Sequence, residues 1–250
     1  MSPAQAASAP LDLSEFSRSA DGYLVDPSGA PDVALTLGQQ AMQSTIVPRI
    51  YERLWRPVLF GVMAGGRLDR IDPRTVAASL DLDPAACVLD VACGPGNTTR
   101  PIADSLGESG RVIGFDASPA MLRQAVSDTS DSRIDYVLGD AASLPFADDT
   151  FDAVTCLAAL YLMDEPYKVI AELVRVLRPG GAVALMASCR RGPDAVQPLL
   201  TLNTKVSGIK MFDSEELRDR LVLLGLTDVR REVHGMFQLV TATLPGGSNG

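Results

Sequence analysis

Histidine is almost missing from this sequence: His234 is the one imidazole in 250 residues. That scarcity disfavours a zinc or iron site built on imidazole ligands, and no serine–histidine–acid arrangement of a hydrolase can be drawn. Cysteine is also sparse, with Cys87, Cys93, Cys156 and Cys189 only, none of them spaced C-x-x-C. Three lie in or beside strand-like runs, which reads as buried thiols of a reducing compartment and not as a disulfide framework; no bound metal is expected. Basic charge is in deficit, leaving a net −9 at pH 7. With no basic run either, a nucleic-acid partner is not expected. No stretch reaches eighteen uninterrupted apolar residues, and the start, MSPAQAASAP, has neither a basic beginning nor an apolar core. The expectation is therefore a cytoplasmic protein with no membrane span and no signal peptide.

What is present is a hydrophobic fraction of 46%, enough for a full core. The length suits one large α/β domain, or one with a small appendage. The chain is organised around residues 88–99. Val88-Leu89-Asp90-Val91 is a short apolar run, read as a buried parallel strand ending in an acid. Gly94-Pro95-Gly96 allows a tight turn, and TTRPIADSL (98–106) reads as a helix. Strand, glycine turn and helix start bring backbone N–H groups beside a ligand. A dinucleotide loop of the G-x-G-x-x-G type would want a third small residue, where this chain has Thr99. Asp90, just before the turn, would repel a pyrophosphate and attract a cation. A ligand with an ammonium and a sulfonium beside a carboxylate and an adenosine meets both conditions: S-adenosylmethionine.

Four segments in order strengthen this: VLDVACGPGNTT (88–99), VIGFDASPAML (112–122), GDAASLPFADDTFDAV (139–154) and ELVRVLRPGGAV (172–183). Through them the stretch from about Val88 to Ser188 resembles the class I S-adenosylmethionine-dependent methyltransferases. It is most similar to the branch that includes the quinone-ring C-methyltransferases of ubiquinone and menaquinone synthesis. The resemblance implies a Rossmann-like, seven-stranded, mostly parallel sheet with an antiparallel C-terminal hairpin and helices on both faces. It implies S-adenosylmethionine as cofactor and S-adenosylhomocysteine as product. The residues it assigns to the cofactor are Asp90, Ala92, Gly94, Gly96 and Asn97 at the first turn, then Asp116, Ala117 and Met121, then Asp140, Ala141 and Leu157. Asp116 would hold both ribose hydroxyls, and Asp140 would accept from the adenine amino group while the Ala141 N–H meets a ring nitrogen. Met121 would lie either against the adenine face or simply in the core. Phe151 is expected in the core, with Asp148 and Asp149 holding the turn before it.

Three regions are expected. Residues 1–34 read as a mobile or irregular N-terminal segment, with a small hairpin or irregular cap around Tyr23-Leu24-Val25. Residues 35–70 read as a helical stretch, with Met42, Ile46, Ile50, Leu54 and Val58 at helical spacing and breaks at Pro48 and Pro57. In relatives such a stretch is a lid; packing against the sheet edge explains the same residues. Arg49, Arg53 and Arg56 fit a solvated face or an anionic acceptor. Residues 71–250 form the methyltransferase domain, with an acceptor-site insert at about 189–212. Within it, helices are expected from Asp72-Pro73 to about Leu80, after Ser118-Pro119, from Pro166 to Leu177, and after a capping box at Asp213-Ser214-Glu215-Glu216.

Apolar residues dominate the expected acceptor walls: Leu37, Met42, Trp55, Leu160, Leu162, Met163, Leu199 and Leu202. They favour a small lipophilic acceptor such as a quinone, polyketide, sterol-like or fatty compound. Methyl transfer is an in-line displacement that orientation largely supplies, and a base is needed only if the acceptor must lose a proton. Tyr161, Tyr51 and His234, with Glu165, are the candidates. Relatives carry histidines near positions 160–162, where this chain has Tyr161. A non-catalytic S-adenosylmethionine-binding regulatory module is the alternative. A nicotinamide-dependent dehydrogenase is opposed by Asp90 and Thr99. The oligomeric state is left open, a homodimer included.

Overall fold

A computed structural model describes residues 11–27, 73–190 and 210–246. Met1–Pro10, the region 35–70 where a lid is expected, with Tyr51, and insert residues 191–209 with Leu199 and Leu202 lie outside the described residues.

The described chain builds one mixed sheet of nine strands. In chain order these are β1 (Ser17–Arg18), β2 (Leu24–Val25), α1 (Pro73–Ser79), β3 (Cys87–Val91), α2 (Thr99–Asp104), β4 (Arg111–Asp116), α3 (Pro119–Ser127), β5 (Ile134–Leu138) and β6 (Phe151–Leu157). They continue with a 3-10 turn (Leu160–Leu162), α4 (Pro166–Arg175), β7 (Leu177–Ser188), α5 (Glu216–Leu223), β8 (Thr227–His234) and β9 (Phe237–Thr243). Across the sheet the order is β1-β2-β5-β4-β3-β6-β7-β9-β8. From β2 to β7 every neighbouring pair is parallel, while β7–β9 and β9–β8 are antiparallel.

The expected seven strands are β3 to β9. The other two correct the reading of the N-terminal segment. The hairpin around Tyr23 is there, but it is part of the sheet: Leu24 and Val25 run parallel to Val137 and Leu138 and extend it by two strands. With a proline and two glycines, Arg178-Pro179-Gly180-Gly181 reads as the stop of the helix expected over residues 166–177, and here too the structure differs. The helix stops at Arg175, and these residues already belong to β7, whose pairing with β6 changes register between Phe151 and Ala153.

Period-two alternation sends successive side chains to opposite faces, and each face has its own helices. Val88, Val112 and Ala153 pack with Val76 and Ala77 of α1, Ile102 of α2 and Leu122 of α3. Leu89, Ile113, Val154 and Leu185 pack with Val169, Ile170 and Leu173 of α4 and Leu217 and Leu221 of α5. The central strand β6 is buried along its whole length, as a strand covered on both faces must be. Phe151 is fully buried, edge-on to Phe146 at 5.0 Å.

Local signals set the helix starts. The Ser118 hydroxyl accepts from the Met121 N–H at 3.4 Å, with Pro119 in the first turn of α3. Of the expected capping box one half forms: the Asp213 N–H donates to the Glu216 carboxylate at 2.7 Å. The turn before β6 is held by Arg175, which pairs with Asp148 at 2.8 Å, while Asp149 adopts φ +57°. Among the described residues no helix is long and apolar enough to cross a membrane.

Candidate functional site

Strand order reverses between β3 and β6. β3 has β4 on one side and β6 on the other, so the chain moves outward to β4 and β5 and then returns past β3 to β6. In sheets of this kind the crevice outside the carboxyl ends of the strands at that point is where ligands bind.

Asp90, Asp116 and Asp140 all fall at this edge, in or just after β3, β4 and β5. Their environments differ. Asp90 is 1% exposed, lying under the glycine turn. Its Oδ2 accepts from Thr98 Oγ1 at 2.6 Å and Thr99 Oγ1 at 2.7 Å, and its Oδ1 accepts from Thr155 Oγ1 at 2.8 Å. Burial raises its carboxyl above the ordinary range, against the pull of the three hydroxyls. Its charge thus stands behind the turn, and its oxygens are occupied by threonines.

Asp116 joins two loops. Its Oδ2 accepts from the Gly94 N–H at 2.9 Å and its Oδ1 from the Ser118 N–H at 2.8 Å. Burial raises its carboxyl, the two N–H groups oppose that, and Asp90 adds to it. Asp140 folds back on its own loop, with Oδ1 accepting from the Ala142 N–H at 2.9 Å. Ala117 and Ala141, beside these acids, are half-buried.

The turn between β3 and α2 is bent by left-handed residues: Ala92 at φ +56°, Gly94 at +57° and Gly96 at +79°. The Cys93 N–H donates to the Phe115 carbonyl at 3.2 Å, tying the turn to β4. A Cβ built on Gly94 would meet nothing within 4 Å, so the turn is open there, next to Asp116. α2 is shorter than the sequence suggested, beginning at Thr99 and ending at Asp104. Asn97 Oδ1 accepts from Arg100 at 3.0 Å. Met121 is 6% exposed, inside the core at the start of α3. Leu157, also buried, ends β6, and Ala158 after it turns the chain with φ +62°, its N–H bonded to the Met186 carbonyl.

The remaining candidates lie on the far side of the reversal. Tyr161 is buried in the 3-10 turn after β6, with its ring 6.3 Å from that of Phe237. His234 ends β8 and pairs with the same Phe237. Its side chain is 9% exposed, and Nε2 lies 3.4 Å from the Glu232 carboxylate. Both ends of the insert reach this edge too. Cys189 bridges to Phe212, the Arg190 N–H bonds to the Phe212 carbonyl, and the Lys210 N–H bonds to the Tyr161 carbonyl. Leu160 is buried, while Leu162 and Met163 are half-buried against the same core.

The four cysteines are free thiols; burial pushes Cys87 up to about 11 and Cys93 well above the ordinary value. Among the described residues no group of three or more His, Cys, Asp or Glu is arranged to hold a metal ion.

Sequence reasoning missed the residues that hold the acids: Thr98 and Thr155 on Asp90, and Arg100 on the turn. A polar Thr155 inside an otherwise apolar buried strand was the available signal.

The donor set fits S-adenosylmethionine. A carboxylate keeps acceptor capacity after one bond per oxygen, so Asp116 can still receive a vicinal diol. The opening at Gly94 leaves room beside it.

Residues 89–185 match the family model described as a methyltransferase domain. The chain is similar to the demethylmenaquinone methyltransferase of Renibacterium salmoninarum, with 40% identity over 112 residues, 45% of each chain. With that of Bacillus licheniformis it shares 40% over 108 residues, 43% of this chain and 47% of the relative. The chain thus spans less than half the length of these curated relatives. Among solved structures it resembles the 4+2 cyclase SpnF, with a TM-score of 0.63 at 22% identity over 88% of this chain and 99% of that one. It also resembles Haemonchus contortus phosphoethanolamine N-methyltransferase 2, solved with S-adenosylhomocysteine, with a TM-score of 0.62 at 14% identity over 82% of this chain and 60% of that one. At such identities these structures speak for the fold alone.

Proposed function

We propose that this chain, whose core belongs to the class I S-adenosylmethionine-dependent methyltransferases, transfers a methyl group to a small lipophilic acceptor, with a quinone ring as the favoured class. The observation that carries the proposal is Asp116 at the end of β4, bonded to Gly94 of an open glycine turn, with Asp140 after the next strand. The acceptor class rests on the demethylmenaquinone relatives and on the half-buried apolar Leu162 and Met163 near the crevice.

When bound, S-adenosylmethionine supplies a methyl group on a sulfonium that departs without needing a proton. Asp116 would accept from the two ribose hydroxyls, and Asp140 with the Ala141 N–H would read the adenine edge. Met121 would back the adenine from the core, and Ala117 and Leu157 would line its pocket. Ala92, Gly94, Gly96 and Asn97 shape the backbone around the methionine end. Asp90 acts through the turn it holds, placing negative charge behind the cationic end of the ligand. The 3-10 turn with Tyr161 and the hairpin with His234 face the acceptor side, where orientation supplies most of the acceleration. Either residue takes a proton only if the acceptor must lose one.

Labelled methyl transfer from S-adenosylmethionine into a metabolite extract, split into organic and aqueous fractions, tests this. Label in the organic phase is expected. Label in the aqueous phase alone would contradict the lipophilic acceptor. Cofactor binding with no transfer to any fraction would favour a cofactor-binding regulatory module.

A further inference from the structure

The glycine turn has two unlike sides. At Gly94 it is open, with nothing within 4 Å of a built Cβ. At Gly96, with φ +79°, the space a Cβ would need is filled by the Tyr136 hydroxyl and the Arg100 guanidinium. These groups come from different elements, Tyr136 from β5 and Arg100 from α2. Arg100 Nη1 donates to the Pro95 carbonyl at 2.9 Å and Nη2 to Asn97 Oδ1 at 3.0 Å. The Arg100 guanidinium and the Tyr136 hydroxyl thus meet over the same glycine. The Tyr136 hydroxyl in turn meets Thr129 Oγ1, after α3, at 2.9 Å. The peptide between Pro95 and Gly96 is therefore fixed at both ends, its carbonyl by Arg100 and its N–H by the Cys93 carbonyl at 3.1 Å.

We propose that Thr129, Tyr136 and Arg100 form a clamp behind the glycine turn, and that Tyr136 and Arg100 are positioning residues for the cofactor. The inference rests on the methyltransferase reading above. The clamp fills the space at Gly96 and leaves that at Gly94 open, and through the Pro95 carbonyl and Asn97 it acts on the backbone geometry of the turn. A turn with two glycines has many conformations open to it, and binding must select one. Fixing the Pro95–Gly96 peptide and Asn97 beforehand removes that cost and leaves the Gly94 side ready beside Asp116. Tyr136 also explains why Gly114 is glycine: a Cβ there would overlap its ring, which crosses β4 on its way to the turn.

The test is calorimetric titration of S-adenosylhomocysteine into the full chain and into Tyr136→Phe, Arg100→Met, Arg100→Lys and the Tyr136→Phe/Arg100→Met double variant, with the ligand-free melting temperature of each. Tyr136→Phe should weaken binding about threefold to tenfold, the range of one net hydrogen bond, with little change in melting temperature. Arg100→Met should weaken it more, and Arg100→Lys should restore part of the loss. The double variant should lose less than the product of the single losses, because both act on one turn. If Arg100→Met does not fold, Tyr136→Phe decides alone. Wild-type affinity in these variants would overturn the clamp while leaving the methyltransferase reading intact. Failure of the unaltered protein to bind S-adenosylhomocysteine would overturn both.

Discussion

Thr155 in β6 donates its hydroxyl to Asp90 in β3, 2.8 Å away and 65 residues apart in sequence, across the pair of strands where the sheet reverses order. That bond, with those from Thr98 and Thr99, is what allows a carboxylate to remain inside a core otherwise made of Val, Leu and Phe. Replacing Thr155 by Val keeps the shape and removes one donor to a charged group. Urea denaturation should show a loss of about 1.5–3 kcal/mol. An unchanged midpoint would mean that the Asp90 carboxyl is neutral or otherwise satisfied.

Ala158 holds φ +62° at the end of β6, in a region that penalises a branched Cβ far more than a methyl. Ala158→Gly should therefore fall within about 1 kcal/mol of wild type, relief of strain offsetting the greater freedom of the unfolded glycine. Ala158→Val should cost more than about 2 kcal/mol. Equal effects of the two substitutions would show that the conformation at 158 is not fixed.

Burial holds the Asp116 carboxyl above its ordinary 3.8, with the Gly94 and Ser118 N–H groups opposing and Asp90 adding to it. A carboxyl raised in the folded state takes up its proton before the unfolded chain does as pH falls. Its ionised form thus costs stability at neutral pH, and that cost is recovered between the raised value and 3.8. Asp116→Asn cannot titrate. In the absence of ligand, the stability of wild type relative to Asp116→Asn should therefore improve as pH falls from 7 toward 4. A gap independent of pH over that window would refute the raised value.

Glu172, held by Arg175, shows the opposite sign. The Arg175 guanidinium bonds both oxygens of Glu172, Asp148, and the carbonyls of Leu144 and Phe146. Arg175 holds the Glu172 carboxyl below its ordinary 4.5. Arg175→Lys cannot serve so many acceptors and should cost about 1–3 kcal/mol at neutral pH. The gap should narrow below pH 4.5, as Glu172 protonates through its lowered value and the wild type loses its advantage. A gap that widens with acid would contradict this arrangement.

The parts of this molecule visible in the sequence are those with a local cause. Apolar runs ending in Asp90 and Asp116 marked β3 and β4, and Ser118-Pro119 marked the start of α3. The parts that were not visible depend on distant partners. A hairpin could be read around Leu24-Val25, but not that it would join the main sheet by pairing with β5. The segment 178–181 reads as a helix stop, yet it lies within β7, between the residues that pair with Phe151 and Ala153. Thr155 and Tyr136 look like ordinary strand formers until the fold brings them to Asp90 and the glycine turn.

The measurement closest to the central claim is calorimetric titration of S-adenosylhomocysteine, with NAD as the comparison ligand, into wild type and Asp116→Ala. Saturable binding of S-adenosylhomocysteine to wild type is predicted, with none of NAD. In Asp116→Ala a loss of at least about tenfold is predicted, since two hydrogen bonds to a carboxylate disappear. Absence of S-adenosylhomocysteine binding to wild type, or the same affinity in Asp116→Ala, would contradict the assignment of this crevice.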